Sequence, residues 1–266
     1  MSTTPQARAA SAEWAKLQSL RAPRMLGGTA VVLAAVSAAA FILSFPVTQG
    51  TALDRAPLTD VLTASVLGVD VAAIVLVVFA AWFVGIEFRT GAITEALLRL
   101  PRRSAVITAK ALVIAAVTVL TAVIAALALT VVAVALAATL TGTSWSEALT
   151  AAVSPEHLRL LLGSALMPVV FALLAAFAAF AFGSMAAGVL GALGLIVASM
   201  LAGWLPAGAA AVVAPVLPLA AVHTISGAAE AGSTEFLGIV PAVIVLAAWV
   251  VLGWVLAAWR LRRRDF

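Results

Sequence analysis

There is no cysteine in this 266-residue chain, and only 10% of its residues are charged. The first absence excludes a disulfide, a thiolate metal site and a cysteine nucleophile. The second excludes an ordinary soluble domain, which carries about 25% charged residues. Lysine is scarce: Lys16 and Lys110 are the only two. Neither follows a glycine-rich turn, so the chain has no P-loop to hold nucleotide phosphates and Mg²⁺. The hydrolase and zinc-peptidase patterns G-x-S-x-G and H-E-x-x-H are missing too. His157 and His223 lie far apart without metal-ligand spacing and read as loop or interfacial residues. No catalytic residue, metal site or enzymatic activity is expected of this chain.

What is present is apolar. Hydrophobic residues make up 65% of the sequence. They fall in runs of about 20, each long enough to cross a bilayer core of about 30 Å. The expected fold is an all-α integral membrane protein with six spans, near Met25–Phe45, Leu67–Ile86, Ala111–Leu136, Leu158–Phe182, Ala187–Leu205 and Leu237–Trp259. The third run continues to Leu140, so that helix should tilt or project into water. Only Gly183-Ser184-Met185-Ala186 separates spans four and five; a tight turn and one long bent element both fit. Residues 1–24 do not resemble a signal peptide, and the run after them reads as a retained anchor. The organisation is residues 1–24 as an N-terminal segment, 25–259 as the membrane domain and 260–266 as a basic tail.

The net charge of +4 does not point to nucleic acid, because the cations sit in short segments beside apolar runs. Before span one come Arg8, Lys16, Arg21 and Arg24; between spans two and three, Arg89, Arg99, Arg102, Arg103 and Lys110; after span six, Arg260, Arg262, Arg263 and Arg264. With six spans these 13 of the 15 Lys and Arg share one side, leaving Arg55 and Arg159 on the other. The positive-inside rule then puts both termini in the cytoplasm. An odd number of spans would split the clusters.

Ser11–Arg21 places Trp14 and Leu17 one turn apart beside Glu13 and Lys16. This suits a short interfacial helix, broken from span one by Pro23; a disordered tail is the alternative. Leu205–Glu235 is apolar but interrupted by Pro206, Pro215, Pro218, Gly208, Gly227 and Gly232. A short outer re-entrant hairpin fits, and a plain loop is the alternative. Asp70, near the outer end of span two, is the one acid placed within a span; it is a candidate for substrate or proton contact, or a hydrated structural residue. Gly188, Gly191 and Gly194 form a small-residue face, expected to pack internally.

The densest charge lies in Glu87–Lys110, EFRTGAITEALLRLPRRSAVITAK. On a continuous helix, Phe88, Ala92, Ile93, Ala96, Leu97 and Leu100 share a face, while Arg89, Thr90, Glu95, Arg99 and Arg102 take the rest. Pro101 then stops the helix. Such an element either lies on anionic lipid or docks into a soluble partner and carries force to the spans.

Three collinear motifs give the chain a resemblance to the transmembrane subunit of an ABC-2-type transporter. They are Glu13-Trp14-Ala15-Lys16-Leu17 with Leu20-Arg21, Gly85-Ile86-Glu87-Phe88-Arg89-Thr90-Gly91-Ala92-Ile93 followed by Leu100-Pro101-Arg102-Arg103 and Lys110, and the tail Arg260–Phe266. Ala92 stands where the family usually has Thr. The resemblance implies a permease of a bacterial plasma membrane, working with a second copy or a similar permease. Two cytoplasmic ATPase subunits would bind the ATP and Mg²⁺, so this chain holds no cofactor. It implies a coupling helix near 87–103, with Glu87, Phe88, Arg89, Thr90, Gly91, Arg99, Pro101, Arg102 and Arg103 at the ATPase interface. Glu87 and Arg89 would make polar contacts with the ATPase, and Phe88 would pack at the base of the spans. Glu13, Trp14, Lys16, Leu17 and Arg21 would form the interfacial helix. The expected cargo is amphipathic or lipid-like: a peptide antibiotic, a drug or a lipid. The rival classes are a gradient-driven secondary transporter using Asp70 and a membrane scaffold for a cytoplasmic partner.

Overall fold

The computed structural model describes residues 5–99 and 103–263, and all regular structure among them is helical. Leu100, Pro101, Arg102 and the tail residues Arg264, Asp265 and Phe266 lie outside the described residues. So do Arg8 and Arg99 as far as their side chains are concerned.

Helix α1 (Pro5–Ser19) ends at Leu20, whose extended backbone separates it from α2 (Arg21–Gln49). The break is therefore not at Pro23. That residue sits in the first turn of α2, where no intrahelical N–H bond is needed. Helices α3 (Leu58–Val66) and α4 (Gly68–Thr90) run on as one kinked span. A Cβ on Gly68 would fall 2.4 Å from the Ala34 carbonyl oxygen, so the bare glycine is what lets spans one and two touch. After α4 come α5 (Ala92–Arg99) and α6 (Arg103–Leu140). With 38 residues, α6 is about 57 Å long and outruns the hydrocarbon core.

The opposite end carries α7 (Trp145–Ala152), which opens on a capping box between Ser144 and Glu147. Helices α8 (Pro155–Ser164) and α9 (Leu166–Phe182) form the fourth span. Gly183, in the left-handed region at φ 66°, closes α9, and Ser184 starts α10 (Met185–Ala202). Spans four and five are thus two helices joined by a tight turn. Next, α11 (Ala207–Val213) and α12 (Pro218–Ser226), joined by a single 3-10 turn, meet at a bend of 82°. Helix α13 (Ile239–Arg262) completes, among the described residues, six helical segments long and apolar enough to cross a membrane. The chain is a helical, multi-pass membrane protein in architecture.

Alanine sets how the spans pack. Ala30, Ala34 and Ala38 bury one stripe of α2, and α9 buries Ala172, Ala175, Ala176 and Ala179 between Phe171, Phe177 and Phe180. Small side chains let helices approach closely where lipid supplies no hydrophobic drive. The fourth span is the centre, with 67% of its most apolar stretch buried, against 11% for α13. Trp254 ties α13 to Thr108 of α6, and Trp249 donates to the Val216 carbonyl before α12. Of the glycine face in α10, Gly188 packs on α4 and α9, Gly191 touches Ala178, and Gly194 faces open space.

Candidate functional site

Four ionisable side chains from three elements meet at the cation-rich end. Helical spacing puts Glu13, Lys16 and Leu17 on one face of α1. Leu17 is buried in the main core, and Trp14 is left partly exposed on the outer side. In the last turns of α4, Phe83 and Glu87 lie one turn apart on the side facing α6. Lys110 enters from α6, seven residues past its start.

The result is a buried ionic cluster. The Lys110 ammonium lies 2.5 Å from Glu13 Oε2 and 2.9 Å from Glu87 Oε1. It also stands 4.3 Å from the centroid of the Phe83 ring, a cation–π position. Lys16 donates to the same Glu87 oxygen. Lys110 is 0% exposed and Glu87 1%. Two ammoniums and two carboxylates balance, which is what makes burial of so much charge tolerable. Burial, then the neighbouring Lys110 charge, holds the Lys16 ammonium below the usual lysine range, while Glu13 pulls the other way. Glu87 Oε2 is buried without a hydrogen-bond partner.

This placement differs from the sequence expectation for several residues. Glu87 turns inward and is occupied by lysines, so its carboxylate does not face a partner surface. Arg103 reaches across to donate to the Leu261 carbonyl at 2.7 Å, closing the end of α13 rather than standing free. Residues 87–90, expected in the amphipathic connecting helix, belong to α4, and the separate amphipathic helix is α5 alone. Gly91, at φ 76°, breaks the continuous helix, because only glycine takes that left-handed turn without strain. Phe88 packs edge-on against Phe180, with ring centroids 6.1 Å apart, at the base of the spans. Ile93 anchors α5 in the core, whereas Arg89, Thr90, Gly91, Glu95 and Leu98 are exposed. Arg21 is exposed at the start of α2.

The sequence reading missed the pairing of α1 with Glu87 and Lys110. A signal existed: a lysine at the edge of an apolar span needs a carboxylate partner, and Glu87 and Glu95 are the two acids near Lys110 in the chain.

A second polar group lies at the opposite end. Asp70 is half-buried in the first turn of α4. His223 Nδ1 lies 2.9 Å from Glu235 Oε2, and Arg159 hydrogen-bonds the carbonyls of Thr224 and Ile225. His223 is therefore a helix residue with a carboxylate partner. His157 is buried in α8 and its Nε2 has no partner, so it is not a loop histidine. Among the described residues no three His, Asp or Glu side chains converge as a metal site would require.

A family model described as a protein of unknown function, DUF2705, matches residues 30–266. The chain belongs to that family. The match covers Glu87 and Lys110 and starts after α1, which supplies Glu13 and Lys16. No curated protein matches the chain.

Proposed function

We propose that this DUF2705 member is the membrane subunit of an ATP-driven exporter of the ABC-2 type. The observation that carries the reading is α5. Ile93 fixes this helix in the core, yet Leu98 remains 83% exposed beside exposed Glu95, at the end where the cations gather. A short amphipathic helix with an exposed leucine suits the groove of a soluble partner. Displacement of α5 would pass through Gly91 into α4, and through the ionic cluster into α6 and α1. In this reading two ATPase subunits hold ATP and Mg²⁺ and press on α5 as the coupling helix. ATP binding then favours one arrangement of the spans.

The remaining assignments follow from the same reading. The cation-rich end is cytoplasmic, with both termini there, in a bacterial plasma membrane. Helix α1 lies in the cytoplasmic interface, and the bent pair α11–α12 is an outer re-entrant hairpin. The exposed flanks of α2, α10 and α13 take lipid and a second permease copy. The near-absence of charge in the spans favours an amphipathic or lipid-like cargo such as a peptide antibiotic, a drug or a lipid.

The test is transport into inverted vesicles containing this chain and its ATPase, with ATP and a proton ionophore varied independently. Transport is expected to need ATP hydrolysis, to survive the ionophore and to persist in Asp70→Asn. Leu98→Asp is expected to weaken recovery of the ATPase by about tenfold or more, since a buried leucine contributes about 1.5–3 kcal/mol. Transport that runs without ATP, stops with the ionophore and is lost in Asp70→Asn would replace this reading with a gradient-driven transporter. Unchanged ATPase recovery with Leu98→Asp would leave α5 as a lipid-contacting helix.

A further inference from the structure

The last two turns of α4 have two working faces. Phe83 and Glu87 build the ionic cluster. Trp82, Gly85, Ile86 and Arg89, at i, i+3, i+4 and i+7, share the other face. That second face borders a cleft of about 360 Å³, closed on its far side by Ser184 and Met185 of the α9–α10 turn. A Cβ on Gly85 would stand 2.6 Å from the Met185 backbone nitrogen, so the glycine brings the two walls together.

The geometry points to this cleft as a binding site for the headgroup phosphate of an anionic phospholipid. Donors without acceptors line it. The Arg89 guanidinium is exposed and has no carboxylate partner among the described residues. The acid nearest in sequence, Glu87, points away and is occupied by Lys16 and Lys110. The Ser184 hydroxyl makes no capping bond to its own helix. The Trp82 indole N–H has no acceptor among the described residues. No acidic residue borders the cleft. A guanidinium, a hydroxyl and an indole N–H suit the oxygens of a phosphodiester.

Free phosphate would satisfy the same donors, but the walls favour a lipid. Ile86 and Met185 offer apolar surface beside the donors. The cleft lies at the ends of α4 and α9, where hydrocarbon gives way to headgroups. At the same end Arg260 sits 5.6 Å from the Phe182 ring and Arg263 4.3 Å from the Trp259 ring. Such aromatic and cationic side chains mark the headgroup level. Basic pockets between spans on the cation-rich side are suited to anionic headgroups.

The experiment uses the full chain alone in phosphatidylcholine nanodiscs, so it does not depend on any ATPase or transport assay. Brominated phosphatidylglycerol is titrated in, and quenching of Trp82 is taken as the signal lost in Trp82→Phe. Arg89→Gln is expected to raise the half-saturating fraction about fivefold, the effect of one cation at a membrane surface. Arg55→Gln, at the opposite end, is expected to change nothing. Inorganic phosphate and glycerol 3-phosphate at millimolar concentration should not relieve the quenching. The proposal is overturned if Arg89→Gln titrates like the parent chain. Equal quenching by brominated phosphatidylcholine overturns it too. Relief by either free phosphate would assign the site to a soluble anion and reject the lipid.

Discussion

Glu87→Gln tests the ionic cluster most directly. The substitution keeps the side-chain shape but takes the cluster of Glu13, Lys16, Glu87 and Lys110 from formal neutrality to +1. At 2.9 Å, the Lys110–Glu87 attraction is about 6 kcal/mol for an effective dielectric near 20. Desolvation of both groups offsets part of this, and breaking a buried pair from one side costs about 3–5 kcal/mol. The loss should fall on α1, which adds Glu13 and Lys16 to the cluster and is held otherwise by Leu17 in the core. Hydrogen exchange across residues 5–19 is therefore expected to rise strongly in Glu87→Gln, with little change in α9. Lys110→Met should do the same, leaving the cluster at −1. The double variant returns the remaining Glu13 and Lys16 to neutrality and should be less destabilised than the sum of the singles, by about 0.5–3 kcal/mol. Strictly additive singles, or unchanged exchange in α1, would refute the idea that charge balance holds this helix.

Three further outcomes follow from particular contacts. Cysteines at Ala52, Glu147 and Gly232, all exposed, should label from outside intact cells, and one at Thr90 only after permeabilisation; external labelling of Thr90 would end the six-span orientation. Gly85→Ala forces a methyl against the Met185 backbone and should cost about 1–3 kcal/mol. Gly194→Ala, where a Cβ meets nothing, should leave the unfolding temperature in detergent unchanged, and equal effects would contradict the packing. The Ser144 backbone N–H and hydroxyl hold the Glu147 carboxyl below its usual range, so this cap stabilises α7 above the ordinary glutamate pKa and loses that stabilisation as pH falls through the lower folded value. Exchange in residues 145–152 should rise on acidification, and Glu147→Gln, which has no carboxyl to titrate, should remove that dependence.

The spans were legible because hydropathy over about 20 residues is a one-dimensional signal, and the lipid core imposes it on each helix separately. The turn at Gly183 was legible only as one of two alternatives, since glycine can close a helix in the left-handed region but an uncharged connection also allowed one long bent element. Helices α3 and α7 escaped notice because each is a short cap on a longer element, without a period long enough to register. The ionic cluster was illegible for a different reason. Lys16 lies 71 residues from Glu87, and Lys110 lies 97 from Glu13. A pattern of local periods assigns each of these residues to a polar face without saying what that face meets. Counting cations by segment had the same limit. Lys110 and Arg89 both scored as positive charge beside the same two spans, yet one is fully buried among carboxylates and the other is exposed with none. Charge count follows from transmembrane orientation. Charge burial follows from which helix face a residue occupies, and two steps along the chain from Glu87 to Arg89, about 200° on the helix, separate a side chain that holds the fold together from one free to meet a ligand.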